Sequence, residues 1–266
     1  METYQLKRIT IIVLALVNLS LLALLGQSEL QQRSAEQQTL MQLKDLYLSS
    51  GMELTLNELP RMEKQTSATV QHSAEAEAAF AAVFLGEADV QESGSSMLYS
   101  SDLGAMRLRR NSAFELNMYS PFLTQETCLH LLAKLGYTAL PRHGGDSTVY
   151  LIQTVDGMPG IGSTVTLHFS GGHLSSAGGF YIADLQAGDS ISSYTAADAL
   201  SAFLQYALEQ EIAPLSVRDI FPARQLSAET LFQSTLQPAW IIQTEGASYY
   251  VNHDGSEIAS LQGKIS

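Results

Sequence analysis

The sequence is short of the residues that usually announce chemistry. It holds one cysteine, Cys128, among 266 residues, so no intramolecular disulfide can form and no Cys–His metal cluster can be built. Cys128 falls inside an apolar helical pattern with no adjacent His or Lys to stabilise a thiolate, which reads as a buried structural thiol. The histidines His72, His130, His143, His168, His173 and His253 include no His-Glu-x-x-His pair. His168 and His173 flank Gly171-Gly172, but two imidazoles do not supply the three protein ligands of an open zinc site. The nucleophile elbow Gly-x-Ser-x-Gly is absent. Gly157-Met158-Pro159-Gly160-Ile161-Gly162 is neither a Walker A loop nor Gly-x-Gly-x-x-Gly, and it links two strands with no helix N-terminus to receive a phosphate. Carboxylates are plentiful, but no pair stands out as a glycosidase couple. No catalytic residue, cofactor or metal is expected, and the chain is read as not an enzyme.

Positive charge is also scarce. There are 14 Lys and Arg against 27 Asp and Glu, a net charge of −13. Such a surface repels phosphate backbones and excludes nucleic acid as a partner. Against that background Arg107, Arg109 and Arg110 form an unusual cluster. In a strand Arg107 and Arg109 share a face. They are open to two readings: a solvated strand protected against edge-to-edge pairing, or a docking patch for an acidic partner.

One long hydrophobic run is present. Ile9–Leu25 carries no charge and is preceded directly by Lys7 and Arg8. At about 1.5 Å per residue it just spans a hydrocarbon core of roughly 30 Å. Leu24-Leu25-Gly26-Gln27 offers no small-residue cleavage site, so an uncleaved signal anchor over residues 9–26 is expected. The basic pair keeps residues 1–8 cytoplasmic and places the rest outside the plasma membrane, on a single-pass protein. Asn18 and Ser20 lie inside the run. They are either tolerated polar groups or a helix–helix contact with a membrane partner.

Residues 27–50 follow as an expected helical stalk, with Leu40, Leu43 and Tyr47 at helical spacing. Beyond it three units are expected, each a helix followed by short strands: 51–120, 121–190 and 191–266. The helices start at Ser73, as N-cap, at about Thr124 and at Thr195. Thr195 with Asp198 resembles a capping box. Leu200, Phe203, Leu204, Ala207 and Leu208 then form one apolar stripe. The strands alternate: Val165, Leu167 and Phe169 face one side, and Thr164, Thr166 and His168 the other. Tyr150-Leu151-Ile152-Gln153-Thr154 is echoed by Trp240-Ile241-Ile242-Gln243-Thr244, which suggests a repeat. The expected fold class is therefore α+β, with an N-terminal transmembrane helix and repeated helix-plus-antiparallel-sheet units.

The basic pair before the anchor, the internal Asn18-Leu19 and the run Tyr150–Pro159 together resemble the YycH/YycI-type regulatory proteins of Gram-positive bacteria. Tyr249-Tyr250-Val251-Asn252-His253-Asp254-Gly255-Ser256-Glu257-Ile258 is similar to the strand–turn–strand ending of PepSY-like modules. Asp254-Gly255-Ser256-Glu257 stands there in place of the usual Thr-Gly-Glu turn. The first resemblance implies a non-enzymatic regulator of a WalK-type membrane sensor histidine kinase in cell-wall homeostasis. Its transmembrane helix would contact the kinase, and a paralogous single-pass regulator could be a further partner. The second implies an extracytoplasmic binding or inhibitory module for a peptidase or cell-wall ligand.

Overall fold

The computed structural model describes residues 34–62, 66–140, 147–192, 194–212, 215–228 and 233–261. The anchor Ile9–Leu25, with Asn18 and Ser20, and His143 lie outside these residues. Among the described residues no helix is long and apolar enough to cross a membrane.

Helix α1 (residues 34–49) leads into β1 (Glu53–Leu54), β2 (Thr66–Gln71) and α2 (Ala74–Leu85). A four-stranded meander follows: β3 (Asp89–Ser93), β4 (Ser96–Ser101), β5 (Gly104–Arg109) and β6 (Ala113–Met118). After α3 (Gln125–Ala133) come β7 (Tyr137–Ala139), β8 (Thr148–Val155), β9 (Met158–Ser170), β10 (His173–Phe180) and β11 (Asp184–Ser190). Helix α4 (Ala196–Glu209) precedes β12 (Ser216–Ala228), β13 (Ser234–Thr244), β14 (Ser248–Asn252) and β15 (Ile258–Ser260).

Local chemistry places the helices. Ser73 caps α2 by accepting from Ala76 N at 3.3 Å, and Gly86 ends it at φ 64°. Thr195 and Asp198 form a reciprocal capping box on α4. The stripe Leu200, Phe203, Leu204 and Ala207 is buried, whereas Leu208 is 52% exposed at the rim of that stripe.

The strands do not divide into three helix-led units. They join one mixed sheet in the order β11-β2-β13-β12-β9-β10-β6-β5-β4-β3, with β1, β7, β8, β14 and β15 attached alongside. This overturns the expected α+β repeat. Strand β2, which precedes the first helix, pairs with β11 and β13. Strand β9 pairs with β8 and β10, and also runs parallel to β12 at Gly160–Ile161. Strands β9, β12 and β13 are 13, 13 and 11 residues long, so each holds two partners along one side and ties the sheet together. The echo between Tyr150–Thr154 and Trp240–Thr244 is not a structural repeat. Gln153 is buried, donating to Ile182 O and accepting from Ile182 N, both at 3.0 Å, while Gln243 is exposed.

Proline positions mark a second difference. The sequence suggests a strand ending at Phe221 and another starting at Ala239, but β12 and β13 run through Pro222 and Pro238. On the side of β12 away from β13, β1 pairs at Ser216–Val217 and β9 at Arg224–Gln225. Pro222 falls in the gap between them, where a missing N–H is tolerated. A strand expected at Gly179–Asp184 is instead split between the end of β10, a connection at Tyr181–Ala183 and the start of β11. The glycine-rich run at Met158–Gly162 is strand, the turn being Asp156-Gly157.

Two of the four buried apolar clusters among the described residues join helices to the sheet. Phe80, Phe84, Cys128 and Leu132 of α2 and α3 pack on Met106, Phe114, Leu116, Leu151, Val165 and Leu167. Leu40, Leu43 and Tyr47 of α1 join Leu200 and Phe203 of α4 over Ile220, Trp240, Ile242 and Val251. Burial at roughly 25 cal/mol per Å² of apolar surface makes these helix–sheet contacts the main stabilising term.

Candidate binding face

Helices α2 and α3 cover only one face of the β3–β10 half of the sheet. Period-two alternation sends Met106, Leu108, Phe114, Leu116, Val165, Leu167 and Ala177 to that face. Among the described residues the opposite face carries no helix and is mostly polar. Cross-strand registers line up one file of residues on it: Leu98 with Arg107, Arg107 with Glu115, Glu115 with Gly178, Gly178 with Thr166, and Thr166 with Tyr150. A second file runs Ser100, Ala105, Asn117, Ser176, His168 and Thr148. Arg107, Arg109, Glu115, Asn117 and His168 are exposed, and Leu98, Tyr150, Ile152, Thr164, Thr166, Ser176 and Gly178 are half-buried.

The arginines expected as a docking patch land here in two of three cases. Arg107 and Arg109 project from β5 onto the open face. Arg109 Nη2 sits 2.5 Å from Glu115 Oε1, whereas Arg107 makes no ion pair among the described residues. Arg110 belongs to the β5–β6 turn and pairs with Glu92 at 3.2 Å. Asp89 of β3, opposite Ser100, is exposed on the same face, so the face carries no net charge from its Arg, Asp and Glu residues, and Arg107 is its arginine without an ion pair among the described residues. The alternation of β9 already sets Thr164, Thr166 and His168 on the solvent side, whereas sequence reasoning missed Tyr150 and Gly178 as members of this surface. The alternation of β8 was the signal that could have found Tyr150.

Most other polar groups are engaged internally, with Arg224 Nε and His253 Nδ1 the buried side-chain atoms that have no hydrogen-bond partner among the described residues. His72 Nδ1 lies 2.7 Å from Glu77 Oε1, and its Nε2 contacts Arg110 O. Arg224 is 1% exposed, donates from Nη1 to Thr66 O and lies 3.8 Å from Asp156. Burial lowers its guanidinium from the ordinary value, with Asp156 opposing that shift. An open cavity of about 660 Å³ lies by the start of α4, against Leu59, Pro60, Met62 and Trp240. Its polar groups are engaged: Trp240 Nε1 donates to Tyr194 O at 2.7 Å, and Thr195 and Asp198 cap each other. Cys128 is buried in the α2/α3 core, which pushes its thiol up to about 11. His168 and His173 are not opposite each other in the β9–β10 pair; His168 faces Ser176 and His173 faces Ser170. Among the described residues no three His, Cys, Asp or Glu are grouped to hold a metal.

No protein-family model and no curated protein matches the sequence. The solved structures that align weakly with the chain include these two. An uncharacterized protein from Eubacterium rectale aligns over 78% of this chain and 89% of its own, at 9% identity and a TM-score of 0.44. The Bacillus megaterium YpeB C-terminal domain aligns over 71% of this chain and 98% of its own, at 9% identity and a TM-score of 0.36. It is a weak structural neighbour, and neither likeness is close enough to carry function. The YycH/YycI resemblance gains no support from these comparisons. The kinase-regulating role it implied rests on Ile9–Leu25, outside the described residues.

Proposed function

We propose that this chain is a non-enzymatic binding module, tethered by Ile9–Leu25 and presented outside the membrane, with a PepSY-like C-terminal part. The observation that supports this reading is the uncovered face of the sheet. A face this broad, built from rigid strands and backed by a packed core, holds side chains at fixed spacing. Rigid elements position binding groups better than loops do. Its mixture of Arg107, Tyr150, Thr166 and His168 with half-buried Leu98 and Ile152, spread over several adjacent strands, suits recognition of a macromolecular surface.

The test uses the full chain in native membranes with a photoreactive side chain at Thr166 and a control at Asp184, an exposed residue on the outermost strand. The reading expects a defined adduct from Thr166 and none from Asp184. Equal labelling from both positions, or none from Thr166, sinks it.

A further inference from the structure

Two adjacent glycines in β10 have opposite reasons for being there. A Cβ on Gly179 would sit 2.2 Å from Thr164 O at a φ of 148°, so the fold requires glycine. A Cβ on Gly178 would meet nothing nearer than Phe114 O at 3.5 Å, an ordinary contact, and its φ is not in the left-handed range. Glycine in a strand interior sacrifices side-chain packing and costs conformational entropy. Nothing in the fold accounts for it at Gly178, which lies on the open face between Glu115 and Thr166. Such a glycine marks a place where another backbone approaches closely.

The surroundings define what approaches. The file Leu98–Arg107–Glu115–Gly178–Thr166–Tyr150 crosses six strands, or about 24 Å at roughly 4.8 Å per strand. That is about the length of seven extended residues. Arg107, two strands from Gly178, is the arginine left over once Arg109 has taken Glu115. Half-buried Leu98 and Tyr150 bound this stretch, and exposed Gln91 of β3 lies beyond Leu98. A single arginine without an ion pair among the described residues fits one carboxylate. A densely charged polyanion would instead meet the repulsion of a net −13 chain.

From these juxtapositions we infer that the open face is a docking site for an extended polypeptide segment of about seven residues, lying across the strands. Its backbone passes over Gly178, and one acidic side chain pairs with Arg107. The inference rests on the binding-module reading above and names the partner's chemistry.

The experiment uses the full chain in detergent micelles. The probe is a fluorescein-labelled heptapeptide of alternating valine and threonine with one central glutamate, read by anisotropy. Its glutamine and lysine counterparts and long-chain polyphosphate serve as comparators. The glutamate peptide is expected to bind roughly tenfold tighter than the glutamine form, and Arg107→Glu should remove that preference. Gly178→Thr is expected to raise Tm by about 2–4 °C, because threonine suits a strand, while weakening the peptide by roughly tenfold or more. A Gly178→Thr variant that melts lower than the parent would show the glycine to be structural and overturn the proposal. Equal binding of all three peptides, absence of binding, or tighter binding of polyphosphate would overturn it too. If the peptide fails while Thr166 still crosslinks a partner in membranes, the partner chemistry is wrong and the binding-module reading stands.

Discussion

His72 holds Nδ1 2.7 Å from the carboxylate of Glu77, a side chain only 8% exposed in the first turns of α2. The same imidazole touches Arg110 O in the β5–β6 turn with its other nitrogen. It therefore ties the end of β2 to a helix and to a hairpin of the other half of the sheet. Tyr181 N donating to Ser112 O at 2.9 Å and Ser234 Oγ donating to Asn111 O at 2.9 Å reinforce that seam. Removing the imidazole strips a buried carboxylate of its partner. His72→Ala is expected to lower stability by about 1–2 kcal/mol, reduced because the ring is partly open to solvent. A double-mutant cycle with Glu77→Gln by urea denaturation checks it, and strict additivity would show the pair to be uncoupled.

Tyr47 couples α1 to α4. Its ring is fully buried and its hydroxyl donates to Leu200 O at 2.7 Å. Burial raises its phenol well above the ordinary range. Tyr47→Phe leaves that buried acceptor without the hydroxyl and is expected to cost about 1–2 kcal/mol. Limited proteolysis within residues 34–49 should accelerate before the sheet unfolds, because helix α1 then separates from its core more easily. Unchanged cleavage would mean the apolar contacts of Leu40 and Leu43 hold the helix alone.

Gly179→Ala is expected to be the most damaging single-methyl change in β10. The new Cβ would lie 2.2 Å from Thr164 O and 2.8 Å from Val165 Cα, both backbone atoms of the paired strand. Neither can move without breaking the β9–β10 ladder. A loss of about 2–4 kcal/mol follows from the forced shift and the disfavoured φ. Thermal denaturation measures it, and a variant as stable as the parent would mean β9 can slide locally.

Cys128 should be silent towards thiol reagents at neutral pH. Its thiol is 1% exposed and raised from 9.0 to about 11 by burial. A raised thiol favours the neutral form, so its contribution to stability is complete below pH 9 and declines as pH climbs from there towards 11. Iodoacetamide labelling followed by mass spectrometry should report modification only after denaturant is added. Fast labelling of the folded chain would place the thiol in an accessible state.

Much of the local design was legible. The alternation of Val165, Leu167 and Phe169 against Thr164, Thr166 and His168 separated a core face from a solvent face, because a strand's side chains alternate regardless of its partners. Capping at Ser73 and Thr195 located two helix starts for a similar reason, being settled within one turn of chain. The arginine pair on one face was visible as well, since Arg107 and Arg109 are two residues apart. Which of them is paired was not, because Glu115 reaches Arg109 from the neighbouring strand.

What only the tertiary structure decided is which strands meet. Strand β2 reaches β13 through Leu236 and Ala68, and β12 continues past Pro222 beside a gap in the sheet. Hydrogen-bonding edges carry no sequence label, so units that look repeated by element order can merge into one sheet when long strands offer two partners. The same holds for Gly178 and Gly179. In the sequence they are an indistinguishable pair. Only the position of Thr164 O, on a strand brought alongside by folding, makes one of them a steric necessity and leaves the other free to receive a partner.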